Sequence, residues 1–353
     1  MSSFAQQAET QKLARLLGLS PEKVGFLEKL EPTAVRRLRE QATRALYDAD
    51  RAAFERAAGA SRVMPTRLLA LLAKKALGPL LCARIAGLMP VAKAMDIAER
   101  LDTDFLARLC LELDPRSARP LIAAMPPVRI AEVAVELARR NEFITMGRFV
   151  DSLKPVAIRE VLKALTDDEA VLRIAFFVED KDRLDTLVQL LPDERLRRIV
   201  RWSATHAELW PEGLGLMSSL EFEQRQRLAD LAGSEDETTI FAMVRATQQH
   251  GLWPQLLPIV ALMSETGQQR VSRLAEAWDD DLLLSVAQAA HAHQQWQTLL
   301  GLFAQMREEA KPRLITLARR LSPEQARELK ARAKEKGLWD KLGELRDVLV
   351  KLG

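Results

Sequence analysis

The chain has 353 residues, 48% hydrophobic and 29% charged, a globular balance that excludes disorder along most of its length. Lys and Arg number 52 against 49 Asp and Glu, a formal charge of +3. No long single-sign block stands out, so nucleic acid is disfavoured as a partner. Cys82 and Cys110 are the only cysteines; they form neither a disulfide framework nor a metal-ligand spacing and suit a reducing compartment.

In chain order, Met1 to Lys12 is polar and lacks the basic start and apolar run of a secretory signal, so the expected location is cytoplasmic. Residues 1–88 read as an N-terminal helical region. Its most apolar stretch, Leu68 to Met89, is interrupted by Lys74, Lys75, Pro79 and Arg84 and falls short of the about 18 apolar residues of a membrane span. The favoured reading is a buried helical hairpin. Peripheral membrane contact through 68–89 is less favoured, although Lys and Arg beside leucines suit an interface. One tyrosine, abundant Ala, Leu, Arg and Glu, and little apolar-polar alternation predict an all-α fold.

Residues 89–205 carry shorter, uneven units marked by Met89-Pro90, Met125-Pro126, Leu153-Lys154-Pro155 and Leu191-Pro192, with proline intervals of 36, 29 and 37. Apolar faces follow at Ile97-Ala98, Ile130-Ala131 and Ile158 to Leu165. In the runs Asp96-Ile97-Ala98-Glu99-Arg100-Leu101 and Pro127-Val128-Arg129-Ile130-Ala131-Glu132-Val133, residues 90–200 resemble the N-terminal superhelical domain of MgtE-type magnesium transporters. The resemblance covers about a third of the chain and rests on helix-packing residues. It implies a superhelical fold; the membrane segments and paired nucleotide-sensing module of that family are not evident, so it does not imply ion transport.

Residues 206–353 repeat with a period of 43, most plainly at Trp210, Trp253, Trp296 and Trp339. Leu228, Val271 and Leu314 keep the register, as do Leu231, Leu274 and Leu317. Val271, Leu274, Ala275 and Trp278 share one helical face. Each copy reads as three helices with turns such as Gly251-Leu252 and Gly337-Leu338, and such copies must stack to bury their apolar faces. The C-terminal copies, for example Ala289 to Met306, also resemble tetratricopeptide and HEAT-like helical repeats. The predicted architecture is therefore a right-handed α-solenoid, with the 43-residue copies continuous with the preceding array. Trp253, Trp296 and Trp339 are expected at equivalent buried helix starts. Trp210 is expected to fit less well, because 7 residues separate it from Met217 against 10 from Trp253 to Met263.

Helix starts are predicted at three capping boxes, Thr166 to Glu169, Ser234 to Glu237 and Ser322 to Gln325. Asp279-Asp280-Asp281 and Glu235-Asp236-Glu237 also fall where helices begin, which favours capping over a cation site. His206, His250 and His293 precede ladder tryptophans, which favours turn or capping roles. His291 and His293 point in different directions on a helix, against a shared zinc. Arg195, Arg197, Arg198 and Arg201 form a dense basic group, read first as a solvated face and second as a site for an acidic partner. Both cysteines read as buried small apolar residues. No phosphate-cradling glycine loop occurs.

No catalytic, metal or cofactor-binding residue is assigned, and no cofactor is expected. The first functional expectation is a non-enzymatic scaffold presenting a curved surface to a protein or peptide. The second is a cytoplasmic carrier or sensor of an apolar small molecule in a cavity enclosed by the array, motivated by ten methionines and six tryptophans. The third is an enzyme whose residues converge only in the fold, with His250 or His293 beside a carboxylate.

Overall fold

A computed structural model describes residues 4–48 and 51–352. Among them every regular element is a helix, and no strand occurs. The chain divides into two compact units, Met1–Leu191 and Pro192–Gly353.

In the first unit, each helix from Arg51–Ser61 onward packs on the helix two further along the chain. One row runs through Arg51–Ser61, Gly78–Ala86, Thr103–Glu112, Pro127–Arg139 and Pro155–Ala164; the other runs through Thr66–Leu72, Val91–Ala98, Pro115–Ala124, Phe143–Val150 and Asp168–Phe176. The prolines set the joints. Pro127 and Pro155 occupy first-turn positions and Pro90 is an N-cap, places where a missing N–H costs nothing. Helix Phe4–Leu17 lies against both Pro32–Asp48 and Phe143–Val150. It carries buried Glu9 and Lys12 into a charge network with Arg39 and Glu179.

In the second unit the 43-residue register is that of the helices themselves. Helices begin at Trp210, Trp253 and Trp296, then at Phe222 and Glu265, and at Glu237, Asp280 and Pro323. Equivalent helices stack, Trp210–Ser219 on Trp253–Leu262 and that in turn on Trp296–Ala304. Trp210, Trp253 and Trp296 are buried. The expected exception at Trp210 is therefore wrong, and the rung that departs is the last. Trp339 is half-buried and opens a short 3-10 helix, Trp339–Leu342. The shorter Trp210-to-Met217 spacing leaves its indole undisturbed, whereas Trp339 opens a 3-10 turn closed by Gly343, with φ of 52°, in place of the α-helix that the other rungs begin.

The turns keep the register as well. Gly251, Gln294 and Gly337, each 43 apart, all adopt left-handed backbone, with φ of 64°, 57° and 65°. An L side chain there costs roughly 1–2 kcal/mol. Gln294→Gly is thus expected to stabilise the second unit by up to about 1 kcal/mol after the added freedom of the unfolded chain is discounted. Urea unfolding followed by tryptophan fluorescence reads this directly, since all six tryptophans lie beyond residue 191.

Of the three capping boxes, only Ser322 with Gln325 forms. At the others a carboxylate takes the cap, Asp167 accepting from Glu169 N and Ala170 N, and Asp236 from Thr239 N. Ser234 instead closes the preceding helix, its hydroxyl donating to Leu231 O. Asp279 caps Asp280–Ala292 through Leu282 N. These acidic clusters therefore contain helix caps.

Candidate functional site

The first unit contains a cavity of about 400 Å³. It is built by one face of helix after helix in both rows. On Thr66–Leu72 the inward residues are Leu69, Leu72 and the following Ala73; on Gly78–Ala86 and its C-terminal turn they are Cys82, Ile85, Ala86 and Met89. Both sets keep the i, i+3, i+4 spacing of a single helical face. Further along, Leu109, Leu137, Phe149 and Ile158 continue the wall. Small residues make the space, since Ala94, Ala98 and Ala134 stand where larger side chains would fill it.

The lining is apolar almost throughout. Among the described residues no charged side chain lines it, and the Ser61 hydroxyl is turned away to donate to Ala58 O at 2.6 Å. Five of the ten methionines line it: Met64, Met89, Met95, Met125 and Met146. Cys82 and Cys110 also face it. Burial pushes the Cys82 thiol up to about 11 and the Cys110 thiol up to about 12, so both stay protonated at neutral pH and add to the apolar wall.

The segment 73–78 shapes one side of this wall. Ala73–Leu77 is a π-helical turn, and Gly78 follows with φ of 72°, so the chain leaves one helix and re-enters the next through Pro79. The predicted buried hairpin over 68–89 is thus two short helices meeting at an irregular joint. Only one side of each is buried, because Leu68, Leu71, Leu80 and Leu81 are exposed.

The second unit has a smaller apolar cavity of about 180 Å³, lined by Trp253, Trp278, Trp296, Met263 and Met306 among others. The ladder indoles serve the structure. Trp210 donates to Thr247 Oγ1 at 2.8 Å, Trp253 to Gln248 Oε1 at 2.7 Å and Trp296 to Glu328 Oε2 at 3.1 Å. His291 Nδ1 meets the same Glu328 oxygen at 2.5 Å, a pairing that the sequence reading missed in favour of His250 and His293. His206 and His293 follow the last residues of their helices and His250 ends its own. Among the described residues, no group of three or more His, Cys, Asp or Glu could hold a metal ion.

The arginine group is in part the solvated face expected, since Arg198 and Arg201 are exposed, but it is not a free basic patch. Arg197 and Arg201 converge on buried Glu235 at 3.3 and 2.5 Å, and Arg195 is itself buried. They tie helix Asp193–Thr205 to the start of Glu237–His250.

The fold and cavity define an all-helical protein with an apolar internal site. Comparison with known proteins adds no relative: no family model, curated protein or solved structure matches the chain. Among the described residues no helix is long and apolar enough to cross a membrane.

Proposed function

We propose that the chain is a non-enzymatic α-solenoid binding protein whose first unit holds an apolar small molecule in the cavity between its two rows of helices. The observation that carries this is the volume together with its lining. About 400 Å³ lies within the 300–1,000 Å³ typical of small-molecule sites, and well above the 150 Å³ that accommodates benzene in an engineered apolar cavity.

The lining also selects between ligands. A peptide brings N–H and C=O groups that need partners, and leaving them unpaired in apolar surroundings is unfavourable. The walls offer hydrocarbon, thioether and protonated thiol. The ligand class is therefore a hydrocarbon-rich small molecule, and the methionines let the wall adapt to its shape. The solenoid reading draws support from the two-along packing of the first unit and the 43-residue register of the second.

Native mass spectrometry of the full chain from its source, with titration by a dansyl-labelled fatty acid, tests the proposal. The expected results are a retained apolar adduct and saturable probe binding that Ala134→Phe weakens. A strictly ligand-free mass and absence of probe binding would sink it. A second expectation concerns the thiols. At pH 8, iodoacetamide should modify Cys82 and Cys110 at least roughly a hundredfold more slowly than an ordinary exposed cysteine, and bound probe should slow Cys82 further. Alkylation of Cys82 unchanged by saturating probe counts against the cavity as the binding site.

A further inference from the structure

The helices that wall the cavity carry a second apolar face, which points outward. On Thr66–Leu72 it is Leu68 and Leu71; on Gly78–Ala86 it is Leu80 and Leu81, with Val63 just before the first helix. Leu71 is 54% exposed, Leu80 50% and Val63 88%. Helices apolar on both sides ordinarily belong inside a core or in contact with lipid. Here the outer side lies open over the stretch that contributes one wall of the cavity.

Charge supplies the second, independent observation. From Arg56 to Met95 the chain has Arg56, Arg62, Arg67, Lys74, Lys75, Arg84 and Lys93 and no acidic residue, so the expectation that no long single-sign block is present fails here, beneath an overall charge of only +3. Lys74 is held by Asp102 at 2.5 Å, and Arg84 lies over the Tyr47 ring while donating to Leu46 O. Among the described residues, Arg62, Arg67 and Lys75 make no ion pair and alternate along the chain with the exposed leucines.

We infer that the outer face of residues 62–84 docks on an anionic phospholipid bilayer. Exposed leucines flanked by unpaired Arg and Lys match a surface that offers acyl chains below and phosphate charge above. An acidic protein would satisfy the cations but supplies no comparable reason for outward leucines on both sides of the joint. Docking places the cavity wall against the membrane, from which an apolar ligand can enter without crossing water. That last step rests on the cavity being the ligand site, whereas docking does not.

Vesicle co-sedimentation of the full chain tests the docking. The chain should bind phosphatidylglycerol vesicles and be released by high salt, with phosphatidylcholine vesicles bound at least about tenfold more weakly. Arg67→Glu with Lys75→Glu should lower binding to the anionic vesicles at least about tenfold, and Leu71→Ser with Leu80→Ser should lower it as well. Both pairs lie on exposed positions and should leave the circular dichroism spectrum and dansyl-fatty-acid binding unchanged. Failure to bind anionic vesicles, equal binding to both vesicle types, or insensitivity to the charge reversal overturns the docking surface. If the cavity reading alone is wrong, vesicle binding persists while the fatty-acid probe fails to bind, so the two failures are distinguishable.

Discussion

Glu9→Gln is expected to destabilise the first unit by about 3–5 kcal/mol, the usual consequence of breaking a buried ion network by removing one partner. Glu9 accepts from three cations: Lys12 at 3.1 Å, Arg39 at 3.1 Å and Arg36 at 3.2 Å. Glu179 shares two of them, Lys12 at 3.3 Å and Arg39 at 2.9 Å. Lys12 and Arg39 are buried, so neutralising Glu9 leaves two interior cations facing one carboxylate. Lys12→Met should cost far less, because it removes one interior cation and leaves Arg39 with both carboxylates. Urea unfolding by far-UV circular dichroism separates the two variants. Similar losses for both would contradict the idea that Glu9 is the charge on which the network balances.

The same network gives the first unit an acid limit. Burial pushes the Glu179 carboxyl up, but Lys12 and Arg39 prevail and hold it below its ordinary value of 4.5. A depressed carboxyl contributes stability that is fully present above about 4.5 and is lost as the pH falls through the folded-state value. Lys12 acts in the opposite sense. Burial pulls its ammonium below 10.5 despite Glu179 and Glu9, so its charged form weighs against folding at neutral pH, and that penalty is relieved as the pH climbs through the folded value. As the pH falls below about 4.5 the helix Phe4–Leu17 should therefore loosen from the segment that carries Glu179, to which Lys12 ties it, and amide exchange of residues 4–17 as a function of pH would register this.

How much of this was legible in the residues depended on the range of the interaction. The helical class and the 43-residue register were readable because Trp210, Trp253 and Trp296 recur at fixed spacing and each initiates a helix. The cap at Ser322 was readable because a capping box closes within four residues. At Thr166 and Ser234 the hydroxyl reading failed because a neighbouring Asp reaches the free amides first. The cavity was not legible: its wall assembles residues from 57 to 187, and a face that lines a cavity has the same period as one that packs tightly. Alanines at 94, 98 and 134 and methionines spread from 64 to 146 were the available signals, but only their convergence gives them meaning. The Glu9 to Glu179 network spans even more sequence and has no local trace. The open face at 62–84 was partly legible, since the cations beside leucines suggested an interface, yet which leucines point outward is fixed only by packing.

Trp296→Ala is expected to cost about 3–5 kcal/mol, whereas Trp339→Ala should cost about 1–2 kcal/mol. Trp296 is 2% exposed; its helix packs on Trp253–Leu262 behind and on Pro323–Glu335 beside it, and its indole shares Glu328 with His291. Truncation removes a large apolar volume between copies that cannot close over the space. Trp339 is half-buried, packing part of its ring on the core with Lys334 Nζ 5.3 Å from its ring centroid, so it loses part of an apolar burial and a cation–π contact of about 0.5–1 kcal/mol. The comparison shows what stacking contributes, because the two residues hold the same repeat position and differ in how far neighbouring helices bury them. Urea unfolding followed by circular dichroism and by the five remaining tryptophans gives both values. Equal losses would mean that the ladder acts within each copy, and a loss confined to Trp296 means that it acts between copies, as an array whose apolar faces are buried only by their neighbours requires.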